Sequence, residues 1–431
     1  MYRELLNQRQ LQAFELYEKG ANLFVTGQGG VGKSWWIKAI CHDMIEKQRK
    51  YAVTATTGSA AVLIEGTTLH RWAGIGQGKL STALLIKDLK RRPQRKNALM
   101  NWKTTDTLII DEISMMDSDL FDKLDIIGRE LRGVPDKPFG GIQLIVCGDF
   151  AQLPPVRPKG GLCFDAKSWS TAIHHKIEFT EIIRQSDANF KQALGEIRMG
   201  KVTKDTQKIL RLRVGAKVGT DLIKPTILMS KRMDTDNYNE RQIAKLNSEG
   251  HSYDAYDRVE PRFKSSTTKA ELKKLKETFG PEMQPREILR LKIGAQVMLI
   301  YNRDDTLVNG SRGVVVGFTV PSDRQRIPYP IVRFINGEQL VVERHDWRVG
   351  LGDGRVFVRS QIPLILAWAI TTHKSQGATL DCVKVDISDC FDYGQAYVAL
   401  SRVKSLEGLS LKNNDLSRIM VHPKVKTYYG F

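Results

Sequence analysis

Residues 27–34 have the sequence Gly-Gln-Gly-Gly-Val-Gly-Lys-Ser, which fits the pattern G-x-x-x-x-G-K-[ST] of a phosphate-binding loop. The apolar run Leu23–Thr26 before it predicts a strand, and the segment Lys33–Glu46 after it predicts a helix. The glycines let the main chain curl so that successive N–H groups point at phosphate oxygens, and the start of the helix adds partial positive charge. We therefore expect Lys33 to bind the β- and γ-phosphates of a nucleotide and Ser34 to ligate Mg²⁺.

Short apolar runs alternate with longer helical segments through the first third of the chain. After the P-loop helix the runs are Tyr51–Ala55, Leu108–Ile110 and Leu144–Cys147. This alternation predicts an α/β fold in which a parallel sheet carries helices on both faces. A second α/β block is predicted to begin near Asp187, and its pattern resumes from Val383 to the end of the sequence.

Polar side chains follow two of these strands. Asp111 and Glu112 come directly after one apolar run, and Gln152 follows the next one. The expectation is that Asp111 ends a strand beside the P-loop strand, because the carboxyl ends of parallel strands meet at one edge of the sheet. There Asp111 would contact the metal, Glu112 would act as general base for the attacking water, and Gln152 would sense the γ-phosphate. The alternatives are a solvated loop for the two carboxylates and a proline-stiffened turn for Gln152.

Two segments interrupt the α/β pattern. Residues 73–103 are strongly basic and predict a small insert, with a solvated basic helix as the alternative. Residues 301–360 contain β-branched runs separated by turn signals, which predict a small β-barrel insert. Residues 250–290 are polar and predict little beyond a helix near Lys269–Thr278.

The composition restricts the partners of the protein. The chain has 431 residues, enough for two or three domains, and its formal net charge of +18 indicates a polyanionic partner, nucleic acid before a membrane surface. No stretch approaches the roughly 20 consecutive apolar residues that span a bilayer. Residues 1–12 lack the apolar core of a signal peptide, and the five cysteines form no C-x-x-C pair. These features predict an intracellular protein with reduced thiols.

Further motifs run in a fixed order along most of the chain. They are Ala55–Ala61, Gly66–Gly76, Asp111–Met115, Asp117–Arg132, Phe139–Asp149, Glu181–Gln185, Leu307–Ser311, Ala367–Thr379 and Gln395–Arg402. Together they resemble the motifs of the Pif-type (petite integration frequency) DNA helicases, in the 5′-to-3′ branch of superfamily 1. Residues 77–103 and 250–290 are not matched.

The resemblance implies two RecA-like P-loop motor domains that bind ATP between them, a small wedge or pin insert, and a small SH3-like β-barrel insert. The implied ranges are 1–72 and 104–185 for the first motor domain, 73–103 for the wedge, 186–300 and 361–431 for the second motor domain, and 301–360 for the β insert.

The resemblance also implies roles for single residues. Gln10 takes the position of an adenine-reading glutamine, and Arg184 and Arg402 take those of arginine fingers, whose planar fork suits the charge of phosphoryl transfer. The nucleotide-binding set is then Gln10, Gly27, Gly29, Gly30, Gly32, Lys33 and Ser34. The set expected to contact a nucleic-acid strand is Thr54, Thr56, Ser59, His70, Thr371, Thr372 and His373. Core or capping roles are the alternative for the histidines, and surface ion pairs are the alternative for the arginines.

The function implied is that of a monomeric ATP-dependent 5′-to-3′ helicase that moves along single-stranded DNA. It would unwind tailed or forked duplexes, and also G-quadruplex DNA, in genome maintenance. Four alternatives stay open: a translocase that does not separate strands, a RecD-type exonuclease subunit, a non-enzymatic nucleic-acid-binding module, and RNA as the main substrate.

Overall fold

The computed structural model describes residues 2–156, 160–185, 187–220, 223–260, 267–280, 283, 285–304, 306–320, 327–350 and 355–431. These residues form two compact units, one built chiefly from the chain up to Ile183 and the other chiefly from Arg184 onward. The predicted boundary at residue 185 lies close to this division. Each unit has its own parallel sheet.

The first unit contains a six-stranded sheet and eight α-helices among its described residues. Its elements in chain order are α1 (Gln8–Glu18), β1 (Leu23–Gly27), α2 (Lys33–Glu46), β2 (Tyr51–Ala55), α3 (Gly58–Leu63), β3 (Thr67–Thr68), α4 (Leu69–Trp72), α5 (Thr82–Arg91), α6 (Lys96–Thr104), β4 (Thr107–Asp111), α7 (Ser118–Arg132), β5 (Gln143–Cys147), α8 (Trp169–Ala172) and β6 (His175–Phe179).

The sheet of the first unit has the strand order β3-β2-β4-β5-β1-β6, and all neighbouring strands are parallel. The central strands β1, β4 and β5 are buried along their whole length, because helices cover both faces. The α/β prediction is confirmed, and the predicted strands and P-loop helix agree with the observed elements to within a residue.

The basic segment at residues 73–103 folds as the helix pair α5 and α6. The apolar faces of these helices contact α7, and Leu85, Leu89 and Trp102 are buried there. The Trp102 Nε1–H donates to the carbonyl of Ala73 at 3.1 Å, which ties the end of the segment to its start. The charged residues are left on the outer faces. The wedge function of this helix pair stays a prediction.

The second unit combines a parallel sheet with antiparallel strands. Its elements in chain order are α9 (Ala188–Arg198), α10 (Lys204–Arg211), β7 (Thr226–Met229), α11 (Arg232–Ala244), β8 (Gly250–Asp254), β9 (Tyr256–Glu260), α12 (Lys269–Phe279), β10 (Ile288–Lys292), β11 (Gln296–Leu299), β12 (Arg312–Phe318), β13 (Pro330–Phe334), β14 (Gln339–Val341), β15 (His345–Gly350), β16 (Val356–Gln361), β17 (Leu364–Leu366), β18 (Ala369–Thr371), β19 (Val383–Val385), α13 (Gln395–Leu400), β20 (Leu409–Leu411) and α14 (Pro423–Tyr429).

The parallel sheet of the second unit has the order β18-β7-β19-β20, and the helix α11 packs on β7 and β18. A five-stranded antiparallel sheet has the order β14-β13-β12-β11-β17. Its strands β11 and β17 lie outside the predicted insert at residues 301–360, so the sheet extends past both predicted boundaries. The segment that the sequence left mostly unassigned supplies β8, β9, α12 and β10. An SH3-like closure of the antiparallel sheet stays a prediction.

Two further observations concern the cysteines and the helices. All five cysteines are free thiols. Within the described ranges, none of the helices combines the length and the apolar character needed to cross a lipid bilayer.

Candidate nucleotide and nucleic-acid sites

The P-loop joins β1 to α2 in the first unit. Its lysine, Lys33, is the first residue of α2, and its ammonium donates to the carbonyls of Gly27 at 2.7 Å and Gln28 at 3.0 Å. Gly29 and Gly30 form the turn of the loop. The ammonium is thus held against the loop whose main chain is predicted to surround the phosphates.

The loop requires glycine at its two ends. Gly27 has a φ of +137°, and a Cβ there would lie 2.3 Å from the carbonyl oxygen of Phe179 on β6. Gly32 has a φ of +83°, and a Cβ there would lie 2.8 Å from the Gln10 amide nitrogen. A side chain at Gly27 is therefore excluded by conformation and by space together, whereas at Gly32 the left-handed backbone is the main reason for glycine, because the neighbouring Gln10 amide is the end of a flexible side chain.

Gln10 lies beside the P-loop, as the resemblance implied, but its amide also has a local structural role. Its Oε1 accepts from the Asn7 N–H at 3.1 Å while Asn7 Oδ1 accepts from the Gln10 N–H, which forms a capping box at the start of α1. The Nε2 group lies 3.5 Å from the carbonyl of Val31 in the loop. The capping box therefore fixes the side chain against the P-loop, and adenine recognition stays a prediction.

Asp111 and Glu112 lie at the carboxyl end of β4. The expectation that this strand lies directly beside the P-loop strand is wrong, because β5 is inserted between β4 and β1. The order of strands depends on how helical crossovers pack, which local sequence does not specify. Lys33 nevertheless acts electrostatically on the Asp111 carboxylate.

The carboxyl group of Asp111 has an unusual environment. Burial raises its pKa to about 7, the Glu112 carboxylate adds to the rise, and the Glu112 main-chain N–H and the Lys33 ammonium oppose it. The buried Asp111 carboxylate thus lies near a second, half-buried carboxylate and one cation. Such a position favours the binding of a further cation, because the ionised carboxylates would then be compensated.

Glu112 adopts a left-handed backbone conformation, with φ +54° and ψ +44°. This conformation is uncommon for a residue other than glycine and is typical of strained turns at functional sites. The Thr56 hydroxyl donates to the Glu112 carbonyl at 2.8 Å, and the Thr56 N–H donates to the Asp111 carbonyl at 3.2 Å. The turn after β4 is thereby fixed to the end of β2.

Gln152 lies in the turn after β5 and is only 4% exposed. Its N–H donates to the carbonyl of Asp149 at 2.9 Å, and the Asp149 carboxylate accepts from the N–H of Ala151 at 3.2 Å. The Gly148 N–H donates to the carbonyl of Val25 on β1, so this turn starts next to the P-loop strand. The predicted residues Lys33, Asp111, Glu112 and Gln152 therefore all follow strands at one edge of the same sheet.

In the second unit, the structure brings Arg184 and Arg402 close together. The Arg184 guanidinium donates to the carbonyl of Ser401 at 3.3 Å. Arg402 is 2% exposed, and its guanidinium donates to the Val398 carbonyl at 2.9 Å and to the Ser401 hydroxyl at 2.8 Å. Both arginines thus meet the chain where α13 ends.

Gln185 is a residue of this site to which the sequence pattern assigned no role. Its buried Nε2 donates to the carbonyls of Ser401 at 3.2 Å and Val403 at 3.0 Å. The amide therefore spans the main chain on either side of Arg402. A glutamine directly after Arg184 was the signal, but its partner is remote in the sequence.

The candidate strand-contacting residues of the first unit differ in exposure. Thr54 is fully buried and its hydroxyl donates to the Ile109 carbonyl at 2.6 Å, so the structure assigns this side chain to the sheet rather than to a nucleic-acid surface. The Thr56 hydroxyl donates its hydrogen bond to the main-chain carbonyl of Glu112. Ser59 belongs to α3, and its side chain lies outside the described residues. His70 on α4 is partly buried; burial lowers its pKa, and the Asp117 carboxylate opposes this shift.

The candidates of the second unit lie at the carboxyl end of β18. Thr371 and Thr372 are buried, and their oxygens accept from the Lys374 N–H at 3.2 Å and the Ser375 hydroxyl at 2.7 Å respectively. His373 is partly buried; burial lowers its pKa, which the Asp392 carboxylate opposes. The two threonines thus shape the turn, and His373 is the more accessible of the three.

Comparison with known proteins identifies the family. The model of the PIF1-like helicase family matches residues 5–215, and the model of the DNA helicase Pif1 2B domain matches residues 274–318. The crystal structure of the Pif1 helicase from Candida albicans is similar over 99% of both chains, with 37% identity and a TM-score of 0.78. The chain belongs to the PIF1-like helicase family. The resemblance inferred from the motifs is confirmed.

Two other relatives show how much of a PIF1 protein this chain spans. The ATP-dependent DNA helicase PIF1 of Xenopus laevis is 43% identical over 416 residues, which are 95% of this chain and 62% of that protein. The chain therefore spans less than two thirds of this curated PIF1 relative. The Pif1 helicase from Bacteroides in complex with ADP-AlF3 and ssDNA is 27% identical over 99% of this chain and 96% of that chain, with a TM-score of 0.64.

Proposed function

We propose that this protein is an ATP-dependent DNA helicase that translocates 5′-to-3′ on single-stranded DNA and unwinds the duplex ahead of it. The observation that carries the proposal is the grouping of Lys33, Asp111, Glu112 and Gln152 at one edge of a parallel sheet, in a member of the PIF1-like family. The grouping supplies the parts that phosphoryl transfer from ATP to water requires. The PIF1 relative from Xenopus laevis carries the name of an ATP-dependent DNA helicase.

In this proposal the P-loop binds the nucleotide phosphates. Main-chain N–H groups of the loop and the start of α2 stabilise the anionic oxygens, and the Lys33 ammonium exchanges its loop carbonyls for the β- and γ-phosphates. Gln10 reads the adenine from its position against Val31. Glu112 accepts a proton from the attacking water, and Gln152 senses the γ-phosphate from the turn after β5.

The residues fit a Mg²⁺ ion. A hydroxyl from Ser34 and a carboxylate from Asp111 are the hard oxygen ligands that this cation prefers. The raised pKa of Asp111 supports the fit, because burial and the Glu112 carboxylate disfavour its ionised form, which a bound cation would stabilise. When bound with ATP, the ion would neutralise charge on the phosphate oxygens.

Arg184 and Arg402 are proposed to stabilise the negative charge that develops during hydrolysis. This role is supported by the hydrogen bonds that both guanidinium groups donate to Ser401, one to its carbonyl and one to its hydroxyl. These bonds would let the two arginines act together. The planar guanidinium fork matches phosphate oxygens in a way that a lysine does not.

The proposed partner is single-stranded DNA next to a duplex, either tailed or forked, with G-quadruplex DNA as a further substrate. The net charge of +18 favours a polyanion, and a Pif1 relative from Bacteroides was solved with ssDNA. Ser59, His70 and His373 are the proposed strand contacts, together with the main chain around Thr371 and Thr372. A single chain carries both the P-loop and the arginines, so the proposed working form is a monomer.

Strand separation tests this proposal. The purified protein is mixed with Mg²⁺, ATP and matched duplexes that carry either a 5′ or a 3′ single-stranded tail. We expect unwinding of the 5′-tailed duplex alone, and its loss in Lys33→Ala. The matched control is Lys38→Ala on the same helix. The exposed Lys38 side chain forms a 3.8 Å surface ion pair with Glu65, so this variant should unwind the duplex normally. DNA-stimulated hydrolysis without unwinding of either duplex would contradict the helicase function.

A further inference from the structure

Thr56 joins two parts of the first unit that the proposed function treats separately. It follows β2 and belongs to the set predicted to contact a nucleic-acid strand, yet its hydroxyl and N–H both donate to the turn that carries Asp111 and Glu112. The register of β2 and β4 pairs Ala55 with Asp111, so Thr56 extends the ladder one residue past the sheet. One residue therefore connects the strand-contacting segment to the proposed general base.

The carbonyl of Glu112 is the point of connection. It accepts from the Thr56 hydroxyl at 2.8 Å and from the Met115 N–H at 3.1 Å. Glu112 has a positive φ, which residues other than glycine rarely adopt. Its backbone conformation therefore depends on hydrogen bonds from neighbouring residues. The two donors fix the peptide plane after Glu112, and with it the direction in which the Glu112 side chain leaves the main chain.

The opposite side of the same turn is closely packed. A Cβ on Gly148, in the turn after β5, would lie 3.0 Å from both the main-chain nitrogen and the Cγ2 of Ile113. The β5 side therefore leaves the turn little room to move. The β2 side holds it through the two hydrogen bonds of Thr56, of which only one comes from a side chain.

The segment after Thr56 is short and directly connected to it. Thr57 caps α3 by accepting from the Ala60 N–H at 3.2 Å, and α3 begins at Gly58. A displacement of the start of α3 is therefore passed to Thr56 through two peptide bonds. No flexible linker separates the two.

We propose that Thr56 is a positioning residue that couples DNA occupancy of residues 57–59 to the orientation of Glu112. A strand bound at the start of α3 fixes the position of Thr56. The Thr56 hydroxyl then fixes the Glu112 carbonyl, and thereby orients the Glu112 side chain toward the water that attacks the γ-phosphate. The inference rests on the proposed function. It also changes the role of Thr56, whose hydroxyl serves hydrolysis from within the protein instead of contacting the strand.

The test compares three variants with the wild-type protein. Thr56→Val keeps the shape of the side chain and removes the hydroxyl, Thr56→Ser keeps the hydroxyl, and Thr54→Val removes the equivalent hydroxyl bond to the Ile109 carbonyl on the same pair of strands. The ATP turnover of each protein is measured over a series of concentrations of single-stranded oligonucleotide. The dissociation constant for the oligonucleotide is measured separately by fluorescence anisotropy.

We expect Thr56→Val to bind the oligonucleotide within about twofold of wild type but to lose roughly tenfold in turnover at saturating DNA, because small misplacements of a catalytic group are costly. Thr56→Ser should restore the turnover, and Thr54→Val should keep the wild-type ratio of turnover with and without DNA. Weakened DNA binding with normal turnover at saturation would overturn the inference and make Thr56 a strand contact. If the ATP turnover of the wild-type protein did not change with DNA concentration, the proposed function would be overturned as well.

Discussion

The guanidinium of Arg184 donates a hydrogen bond to the main-chain carbonyl of Ser401, the residue directly before Arg402. The two arginines come from motifs far apart in the sequence, one just before α9 and one just after α13. Their proximity was implied by the family resemblance alone. The hydrogen bond to Ser401 explains this proximity, and it means that a change at either arginine alters the surroundings of the other.

Replacing Arg402 is expected to abolish hydrolysis while nucleotide binding persists. If Arg402 stabilises charge only in the transition state, Arg402→Ala should lower kcat by roughly 10³-fold or more with little change in the dissociation constant for ATP. Steady-state kinetics and binding of a fluorescent ATP analogue measure the two quantities.

Two controls make the Arg402 result interpretable. Arg402→Lys keeps the charge without the planar fork and should restore little activity. Arg418→Ala removes an exposed arginine paired with Asp415 and should behave as wild type. Because Arg402 is buried, thermal melting must show that Arg402→Ala is folded. Unchanged turnover in a folded variant would refute the assignment.

Gln185 is expected to stabilise the chain around Arg402. Gln185→Ala leaves the buried carbonyls of Ser401 and Val403 without its amide, which should cost about 1–3 kcal/mol in the free energy of unfolding and lower turnover by displacing Arg402. Urea denaturation and ATP turnover are the measurements. Gln192→Ala removes an exposed bond to Glu196 and serves as the control; equal stability of the two variants would show that Gln185 has no such role.

The sequence was most informative where local pattern determines structure. Strands such as β4 are buried along their length, so a continuous apolar run bounded by polar or turn residues marks them. The P-loop helix was also predictable, because glycine requirements and helix starts are local. Its residues Lys33 and Ser34 therefore lie where the motif placed them.

Relationships between distant segments were not predictable from local pattern. The insertion of β5 between β4 and β1 depends on crossover packing, and the antiparallel sheet recruits β11 and β17 from outside the turn-rich segment. The buried hydroxyl of Thr54 and the bonds of Thr56 and Gln185 are set by partners that no spacing rule identifies. The candidate residues could thus be named in advance, but not all of their roles.

Asp111 is expected to destabilise the metal-free protein. Its pKa is near 7 in the folded state against an ordinary value of 3.8, so folding opposes its ionisation. Asp111→Asn should therefore raise the melting temperature in the presence of a chelator while abolishing ATP turnover. The gain should be absent below about pH 4, where both states are protonated, should grow as pH rises, and should level off above about pH 7. Melting curves from about pH 3 to about pH 8 measure it, and a gain independent of pH would contradict this origin.

Gly27 and Gly20 offer a matched pair for testing the geometry of the P-loop. Both have a positive φ, +137° and +77°, but only Gly27 has a close neighbour where a Cβ would be placed, the Phe179 carbonyl oxygen at 2.3 Å. Gly20→Ala should cost about 1 kcal/mol of stability from backbone strain alone and should bind ATP normally.

Gly27→Ala must additionally push β1 and β6 apart, because their register places these two residues opposite each other. The displacement moves the carbonyl that holds Lys33 and the N–H groups that follow it. We therefore expect ATP affinity to fall by more than about tenfold, together with a larger loss of stability than in Gly20→Ala. Isothermal titration with ATP and thermal melting distinguish the effects. Loss of stability with unchanged ATP affinity would mean that the loop keeps its geometry independently of the contact between β1 and β6.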